Sequence, residues 1–244
     1  SVGDVPGGVD LAVLAVPAPV VPEVVDACGE AGVGAVVVVS AGFAETGPAG
    51  RRLQEDLLER VRAHGMRMVG PNCLGLVSTD PEVRLNASFA PSMPPRGRAA
   101  LCSQSGALGI AVIGSARRVG LGLSHFVSVG NKADVSAEDL LEYWGDEPAT
   151  DVVLLYLESF ASPGTLGRAA RRLGRSTPVV MVKGGRTEAG ERAAGSHTAA
   201  LAGSDAAVDA FFRQTGIIRA RSLAEMFDLG RFLSTQPLPP GRRV

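Results

Sequence analysis

The chain has 244 residues and a formal net charge of −1, with 45% hydrophobic and 20% charged residues. This balance is typical of a globular protein, and the near-zero charge excludes the basic footprint of a nucleic-acid-binding protein. No run of about 18 apolar residues occurs, so we expect no membrane-spanning helix. Residues 1–10 lack the pattern of a secretory signal, and none is expected.

Three cysteines occur, Cys28, Cys73 and Cys102. They are odd in number and far apart, without the C-x-x-C spacing of a metal or redox motif. We interpret them as reduced thiols of a cytoplasmic protein, and we predict neither a disulfide framework nor a metal site.

Apolar runs bounded by Gly, Pro, Asn or Ser recur along the chain, with stretches of helical spacing between them. Such runs, rich in Val, are typical of strands covered by helices on both faces of a sheet. The alternation predicts an α/β fold with parallel sheets. Strands are predicted at residues 11–16, 35–39, 66–69, 99–102, 152–157 and 179–182, and helices at 20–31, 50–63, 107–119, 137–144 and 165–173.

A proline-rich segment, residues 89–97, separates two such alternating blocks. We predict a domain boundary there, with domains at 1–95 and 96–234 and a loose tail at 235–244. The first block is short for a doubly wound domain of about five strands. It is expected to be a small domain of three or four strands, or one that lacks an N-terminal part.

A turn of small residues, Ser103-Gln104-Ser105-Gly106, follows the predicted strand at 99–102 and opens a helix. Amides at Ser105 and Gly106 could approach an anion closely, because no bulky side chain intervenes. The alternative interpretation is a plain helix cap by Ser105.

His197 stands at the start of a short Ala-rich helix, between glycines that leave its imidazole unshielded. A helix N-terminus carries about half a positive charge, which would stabilise a phosphate on that imidazole. Glu158 ends the predicted strand at 152–157, and a carboxylate beside one imidazole nitrogen leaves the other as a nucleophile. The alternatives are a partly exposed histidine in a cap region and a carboxylate at a solvent-facing strand end.

Several strand-end segments, taken together and in order, carry a family resemblance: VPAP, SAGFAE, GPNCLG, SQSGALG, SVGNKADVS, LESF and GSHTAALAG. From about residue 9 to residue 233, the chain resembles the α-subunit region of nucleoside-diphosphate-forming acyl-CoA synthetases, relatives of succinyl-CoA synthetase. The resemblance implies a Rossmann-like CoA-binding domain followed by a flavodoxin-like domain. In the family, two strands and a Gly-rich loop precede the region that matches Ser1, so the first domain is expected to be incomplete.

The resemblance also implies a reaction and its residues. Acyl-CoA, phosphate and a nucleoside diphosphate would be interconverted with a carboxylic acid, CoA and a nucleoside triphosphate, through an acyl phosphate and a phosphohistidine. His197 would carry the phosphoryl group and Glu158 would orient it. The phosphate would be held by Ser105, Gly106 and Ser196.

Further implied contacts concern the organic substrates and partners. Asn131 would lie at the acyl pocket, and short acyl-CoA is the expected substrate. An ATP-grasp domain, which this sequence lacks, would bind ATP or ADP with Mg²⁺ as a separate subunit or as another part of the polypeptide. An oligomer is expected, without nucleic acid or membrane partners. The CoA site would be lined by Pro17, Ala41, Gly42, Phe43, Pro71 and Asn72.

Two other functions are alternatives. A synthetase-like region of a protein lysine acetyltransferase would sense a ligand without catalysis, but such regions often lack the histidine. The presence of His197 with Glu158 and the SQSG turn favours catalysis. A dinucleotide-dependent dehydrogenase is disfavoured, because no G-x-G-x-x-G segment opens a helix after a strand.

Overall fold

The computed structural model describes residues 2–184 and 205–237. A first sheet of three parallel strands, in the order β1-β2-β3, is formed near the N-terminus. Two helices, α1 and α2, connect its strands. The bounds are β1 Leu11–Leu14, α1 Val21–Glu30, β2 Ala35–Val38, α2 Pro48–Ala63 and β3 Arg67–Val69, with short 3₁₀ helices at Val2–Asp4, Ala18–Val20 and Ala44–Thr46.

A second sheet has seven strands in the order β10-β9-β8-β6-β7-β4-β5. Its first five strands in that order run parallel, whereas β4 is antiparallel to both β7 and β5. The strands are β4 Gly75–Ser78, β5 Asn86–Ser88, β6 Arg96–Ser103, β7 Leu123–Ser128, β8 Val152–Leu157, β9 Val179–Lys183 and β10 Ile218–Arg219. The helices are α3 Gly106–Val119, α4 Ala137–Gly145, α5 Pro163–Leu173, α6 Asp205–Thr215 and α7 Leu223–Thr235.

Helices cover both faces of the second sheet, which explains its continuous apolar strands. On β8, Val153 and Leu155 pack into a core with α4, α5 and α6. Val152 and Leu154 point to the opposite face and pack with α3 and α7. Because successive side chains of a strand face opposite sides, a strand buried on both faces must be apolar at every position.

Every strand and helix predicted within residues 2–184 is present, and the predicted bounds of β8 match the structure. The short helix predicted to start at His197 lies outside the described residues. The α/β class is confirmed. No bounds are predicted for β4, β5, β7, β10, α6 or α7, although the SVGNKADVS segment is predicted to lie at the end of a strand. Strand β7 contains Ser124, His125 and Ser128, which interrupt the continuous apolar pattern of the other buried strands.

The hairpin β4–β5 does not follow the predicted domain division. Gly75 pairs with Ser128, and Ser78 pairs with His125, which places the hairpin on the edge of the second sheet. Residues 75–88 therefore belong to that sheet, although they precede the proline-rich segment. An antiparallel strand can extend a parallel sheet without a helical crossover, and the apolar pattern of the chain does not reveal such an addition.

The loop after β7 lies against the end of β3 and joins the two sheets. The amide of Asn131 donates to the carbonyl of Pro71 at 2.9 Å, and the amide of Ala133 donates to the carbonyl of Gly70 at 3.1 Å. Gly130 has φ +52, and a Cβ there would lie 2.3 Å from the carbonyl oxygen of Asn72. This close approach requires glycine, and it brings the strand-end loops of the two sheets together.

Candidate active site

A cavity of about 660 Å³ lies where the strand-end loops of the two sheets meet. Ligands of parallel sheets bind outside the carboxyl ends of the strands, so this is the expected place for a site. Five residues that the sequence analysis selected line the cavity: Asn72, Ser105, Gly106, Asn131 and Glu158.

The turn between β6 and α3 presents a helix N-terminus to the cavity. Ser105 has an extended backbone, and its hydroxyl accepts a hydrogen bond from the amide of Leu108 at 3.4 Å. Ser105 therefore caps α3 with its side chain. Ser105, Gly106 and Ala107 all line the cavity. Their end of α3 carries partial positive charge and amides without intrahelical partners, which suits an anion.

Glu158 lies in the loop after β8, half-buried, and lines the same cavity. The amides of Glu158 and Ser159 each donate to Oε1 of Gln104 at 3.0 Å. Gln104 immediately precedes Ser105, so the Glu158 loop is bonded to the turn that opens α3. A carboxylate and a helix N-terminus therefore share one cavity.

Asn72 and Asn131 are in direct contact across the two sheets. Asn72 Nδ2 donates to Asn131 Oδ1 at 3.2 Å. Asn131 Nδ2 in turn donates to Glu45 Oε2 at 2.6 Å and to Gln54 Oε1 at 2.9 Å. A residue expected at the CoA site and one expected at the acyl pocket thus belong to one hydrogen-bond network.

Glu45 links that network to the loop after β2. Its Oε1 accepts hydrogen bonds from the amides of Gly42 at 2.5 Å and Phe43 at 3.1 Å. Burial raises the pKa of the Glu45 carboxyl, but the hydrogen bonds from Asn131 and these amides outweigh it, so the pKa lies below the ordinary 4.5. Glu45 lies in the SAGFAE segment but is not among the predicted site residues. The sequence feature that could have identified Glu45 is a carboxylate among small residues directly after a strand.

Other residues expected at the CoA site lie differently. The Phe43 side chain is fully buried in the core of the first sheet, so residue 43 can offer a ligand only its main chain. Pro71 is buried as well, and it follows Gly70 through a cis peptide bond. Pro17 and Ala41 are exposed and do not line the cavity.

Gln104, Lys132 and Ser159 also line the cavity, and the sequence analysis did not select them. Burial lowers the pKa of the Lys132 ammonium from its ordinary 10.5, and the carboxylate of Glu138 counteracts that shift. Cys73 borders the cavity too, but burial raises the pKa of its thiol to about 12. Cys73 is therefore not a nucleophile near neutral pH.

His197 and Ser196 lie outside the described residues. The chain leaves the described range at Gly184, whose amide donates to the carbonyl of Leu157 at 2.8 Å. A Cβ at Gly184 would lie 3.1 Å from Cγ of Glu158. Gly184, the last described residue before residue 205, thus lies beside Glu158.

Within residues 2–184 and 205–237, no group of three or more His, Cys, Asp or Glu side chains could hold a metal ion. Among the helices of the same two ranges, none has the length and apolar character needed to cross a membrane.

The doubly covered, mostly parallel second sheet, with its cavity at the strand ends, defines a protein of the flavodoxin-like α/β class. Two family models match the chain, a succinyl-CoA ligase-like flavodoxin domain over residues 96–233 and a CoA-binding domain over residues 1–79. The first model alone covers more than half of the sequence. The chain belongs to the succinyl-CoA ligase-like family.

Similar proteins extend over the whole chain. The α subunit of ADP-forming acetate–CoA ligase I from Pyrococcus furiosus is 44% identical, over 100% of this chain and 52% of that protein. ADP-forming 4-hydroxybutyrate–CoA ligase from Nitrosopumilus maritimus is 36% identical, over 98% of this chain and 34% of that protein.

A solved structure agrees with this similarity. It is dinucleotide-forming acetyl-coenzyme A synthetase 1 from Ca. Korarchaeum cryptofilum in complex with phosphate and ADP, at 43% identity and a TM-score of 0.91. The match covers 98% of this chain and 51% of that one. The chain therefore spans about half the length, or less, of these relatives.

Proposed function

We propose that this chain is the α-type part of a nucleoside-diphosphate-forming acyl-CoA synthetase, an acid–thiol ligase that works through an acyl phosphate and a phosphohistidine on His197. The observation that carries the proposal is the shared cavity, in which the N-terminus of α3, Glu158 and Asn131 come together. The similarity to ADP-forming acetate–CoA ligases supports the reaction class.

In the first step, an oxygen of phosphate attacks the thioester carbonyl of an acyl-CoA. The C–S bond breaks, the thiolate of CoA leaves and takes up a proton, and an acyl phosphate remains. The amides of Ser105 and Gly106, with Ser196, hold the phosphate. Phosphoryl chemistry asks mainly for positioning and charge stabilisation, which fixed amides at a helix N-terminus supply.

In the second step, one nitrogen of the neutral His197 imidazole attacks phosphorus. The P–O bond to the acyl group breaks, and the carboxylate leaves with the electron pair. Glu158 accepts a hydrogen bond from the other ring nitrogen and stabilises the positive charge that develops on the ring. A terminal oxygen of a nucleoside diphosphate then takes the phosphoryl group, which restores neutral histidine and gives the triphosphate.

The partners of this chain follow from the same proposal. CoA and a short acyl-CoA occupy the face formed by the loops after β1, β2 and β3, with Asn131 at the acyl group. An ATP-grasp subunit or domain binds the nucleotide with Mg²⁺ and receives the phosphoryl group. The complete enzyme is an oligomer in the cytoplasm.

Phosphate labelling tests the proposal. The complete protein, incubated with acetyl-CoA and radioactive phosphate in the absence of nucleotide, should form an acid-labile, base-stable phosphoprotein. His197→Asn should abolish the label and Glu158→Gln should lower it, because the first removes the nucleophile and the second its orienting carboxylate. His64→Asn is the matched control and should keep the label, because His64 directly follows α2 and bonds to Asp26 of α1.

Two results would contradict this function. One is a wild-type protein that takes no label, and the other is label that persists in His197→Asn. Absence of label with intact acetyl-CoA binding would favour the ligand-sensing alternative.

A further inference from the structure

Three cavity residues follow adjacent strands of the second sheet. Gln104 follows β6, Lys132 follows β7 and Ser159 follows β8, and these strands are neighbours in the order β8-β6-β7. Each of the three is next in sequence to a residue of the proposed site, namely Ser105, Asn131 and Glu158. We call Gln104, Lys132 and Ser159 the clamp.

The ammonium of Lys132 is bonded to both other members of the clamp. Its Nζ donates to the carbonyl oxygen of Ser159 at 2.6 Å, to Ser159 Oγ at 2.8 Å and to Gln104 Oε1 at 3.2 Å. An ammonium has three donors, so these neutral oxygens use all of them. All three N–H groups of the Lys132 ammonium are therefore used within the protein. Lys132 connects the loop after β7 to the loops after β6 and β8.

The amide of Gln104 completes the link. Its Nε2 donates to Ser159 Oγ at 3.0 Å. Its Oε1 accepts from the amides of Glu158 and Ser159 as well as from Lys132. The backbone of Glu158 is thus bonded to the side chain that directly precedes Ser105.

We propose that the clamp is a positioning device that holds the Glu158 loop at a set distance from the α3 turn and from Asn131. The proposal rests on the function proposed above, since Glu158 and the α3 turn must act on one phosphoryl group. Displacement of a catalytic group by about 1 Å can cost about 100-fold in rate. A network that ties three strand ends together limits such displacement.

Two substitutions in the complete protein test the clamp. Ser159→Ala removes a hydroxyl that contacts both Lys132 and Gln104, and Lys132→Met removes the ammonium while keeping most of the side-chain volume. The steady-state rate of CoA release from acetyl-CoA, with ADP present to regenerate the free histidine, is measured at several phosphate concentrations. We expect kcat to fall about 10-fold in Ser159→Ala and about 100-fold in Lys132→Met, with the KM for phosphate changed less than about 3-fold, because the phosphate-binding amides remain.

Ser124→Ala is the matched control. Ser124 is also a buried serine, and its hydroxyl bonds to Thr150 Oγ1 at 2.9 Å at the opposite end of the same sheet. It should lower the melting temperature about as much as Ser159→Ala and leave kcat unchanged. If kcat fell equally in Ser124→Ala, the loss of rate would follow from lower stability and not from the position of the Glu158 loop. That result would overturn the proposal.

Hydrogen exchange gives a readout that does not need catalysis. The amides of Glu158 and Ser159 should exchange at least about 10-fold faster in Lys132→Met than in the wild type, and at the wild-type rate in Ser124→Ala. Unchanged exchange, or faster exchange with an unchanged kcat, rejects the clamp as a positioning device. A wild-type protein that takes no label rejects the proposed function instead, and the exchange rates still decide the clamp.

Discussion

At the scale of single residues, Glu45 shows how one carboxylate can organise several loops. It accepts hydrogen bonds from the amides of Gly42 and Phe43 on one oxygen and from Asn131 on the other. Hydrogen bonds to a charged acceptor are stronger than those between neutral groups. They favour the ionised carboxylate, in agreement with its lowered pKa.

This lowered pKa predicts a pH-dependent contribution to stability. Because the folded-state pKa lies below 4.5, the contribution is fully present above pH 4.5 and is lost as the pH falls through the folded-state value. Glu45→Gln should therefore lower the free energy of unfolding by about 1 kcal/mol at neutral pH. The difference from the wild type should shrink in more acidic solution. Denaturant titrations across this range measure it.

The control is Glu55→Gln, an exposed position on α2. This substitution should change the free energy of unfolding by less than about 0.5 kcal/mol both at neutral pH and in acidic solution. A difference for Glu45→Gln that grows toward acid pH would contradict the assignment.

The residue scale also shows what the sequence could predict about the site. Ser105, Glu158 and Asn131 were selected separately and meet at one cavity. Phe43 was selected for the CoA site, but its side chain is in the core. Sequence pattern marks the loop that carries a residue, whereas the direction of the side chain depends on packing partners from distant segments.

At the scale of elements, Gly109 of α3 packs directly against Leu74 and against Phe126 of β7. Gly109 makes this approach possible, because a Cβ there would lie 2.4 Å from Cδ2 of Leu74 and 3.0 Å from Cζ of Phe126. Both neighbours are fully buried and have little freedom to move. The position of the α3 N-terminus, and so of the proposed phosphate site, depends on this contact.

Two glycine substitutions on α3 should have opposite effects. Gly109→Ala forces extra volume into a packed core and should cost about 1–3 kcal/mol of stability. Gly114→Ala, where a Cβ would meet nothing within 4 Å, should stabilise the protein by about 0.5–1 kcal/mol through helix propensity. Thermal or denaturant unfolding measures both. Equal effects of the two substitutions would contradict the close packing of α3.

At the scale of the whole molecule, the two sheets share a core. Val37 of β2 packs with Cys73 and Ala87, and Ala87 belongs to the hairpin that extends the second sheet. The Glu45–Asn131 hydrogen bond and the backbone bonds between residues 131–133 and 70–71 add to the interface. The two sheets are therefore expected to unfold together.

Two spectroscopic probes test this cooperativity. Trp144, the single tryptophan, is buried in the second sheet's core, whereas far-UV circular dichroism reports the helices of both sheets. The two unfolding midpoints should coincide. Val37→Ala should lower the free energy of unfolding by about 2 kcal/mol and shift both midpoints together. Val13→Ala, at an exposed position on β1, should leave both midpoints unchanged. If part of the circular dichroism signal persisted after the Trp144 fluorescence change was complete, the two sheets would unfold independently.

The sequence by itself determined the strands and helices with clear patterns, the α/β class and the family, because local apolar periodicity and strand-end motifs are properties of short segments. Only the tertiary structure decided that residues 75–88 join the second sheet, that Glu45 bridges two loops and that the clamp ties three strands. Each of these depends on contacts between segments far apart in the chain, and such pairings are set by packing and register.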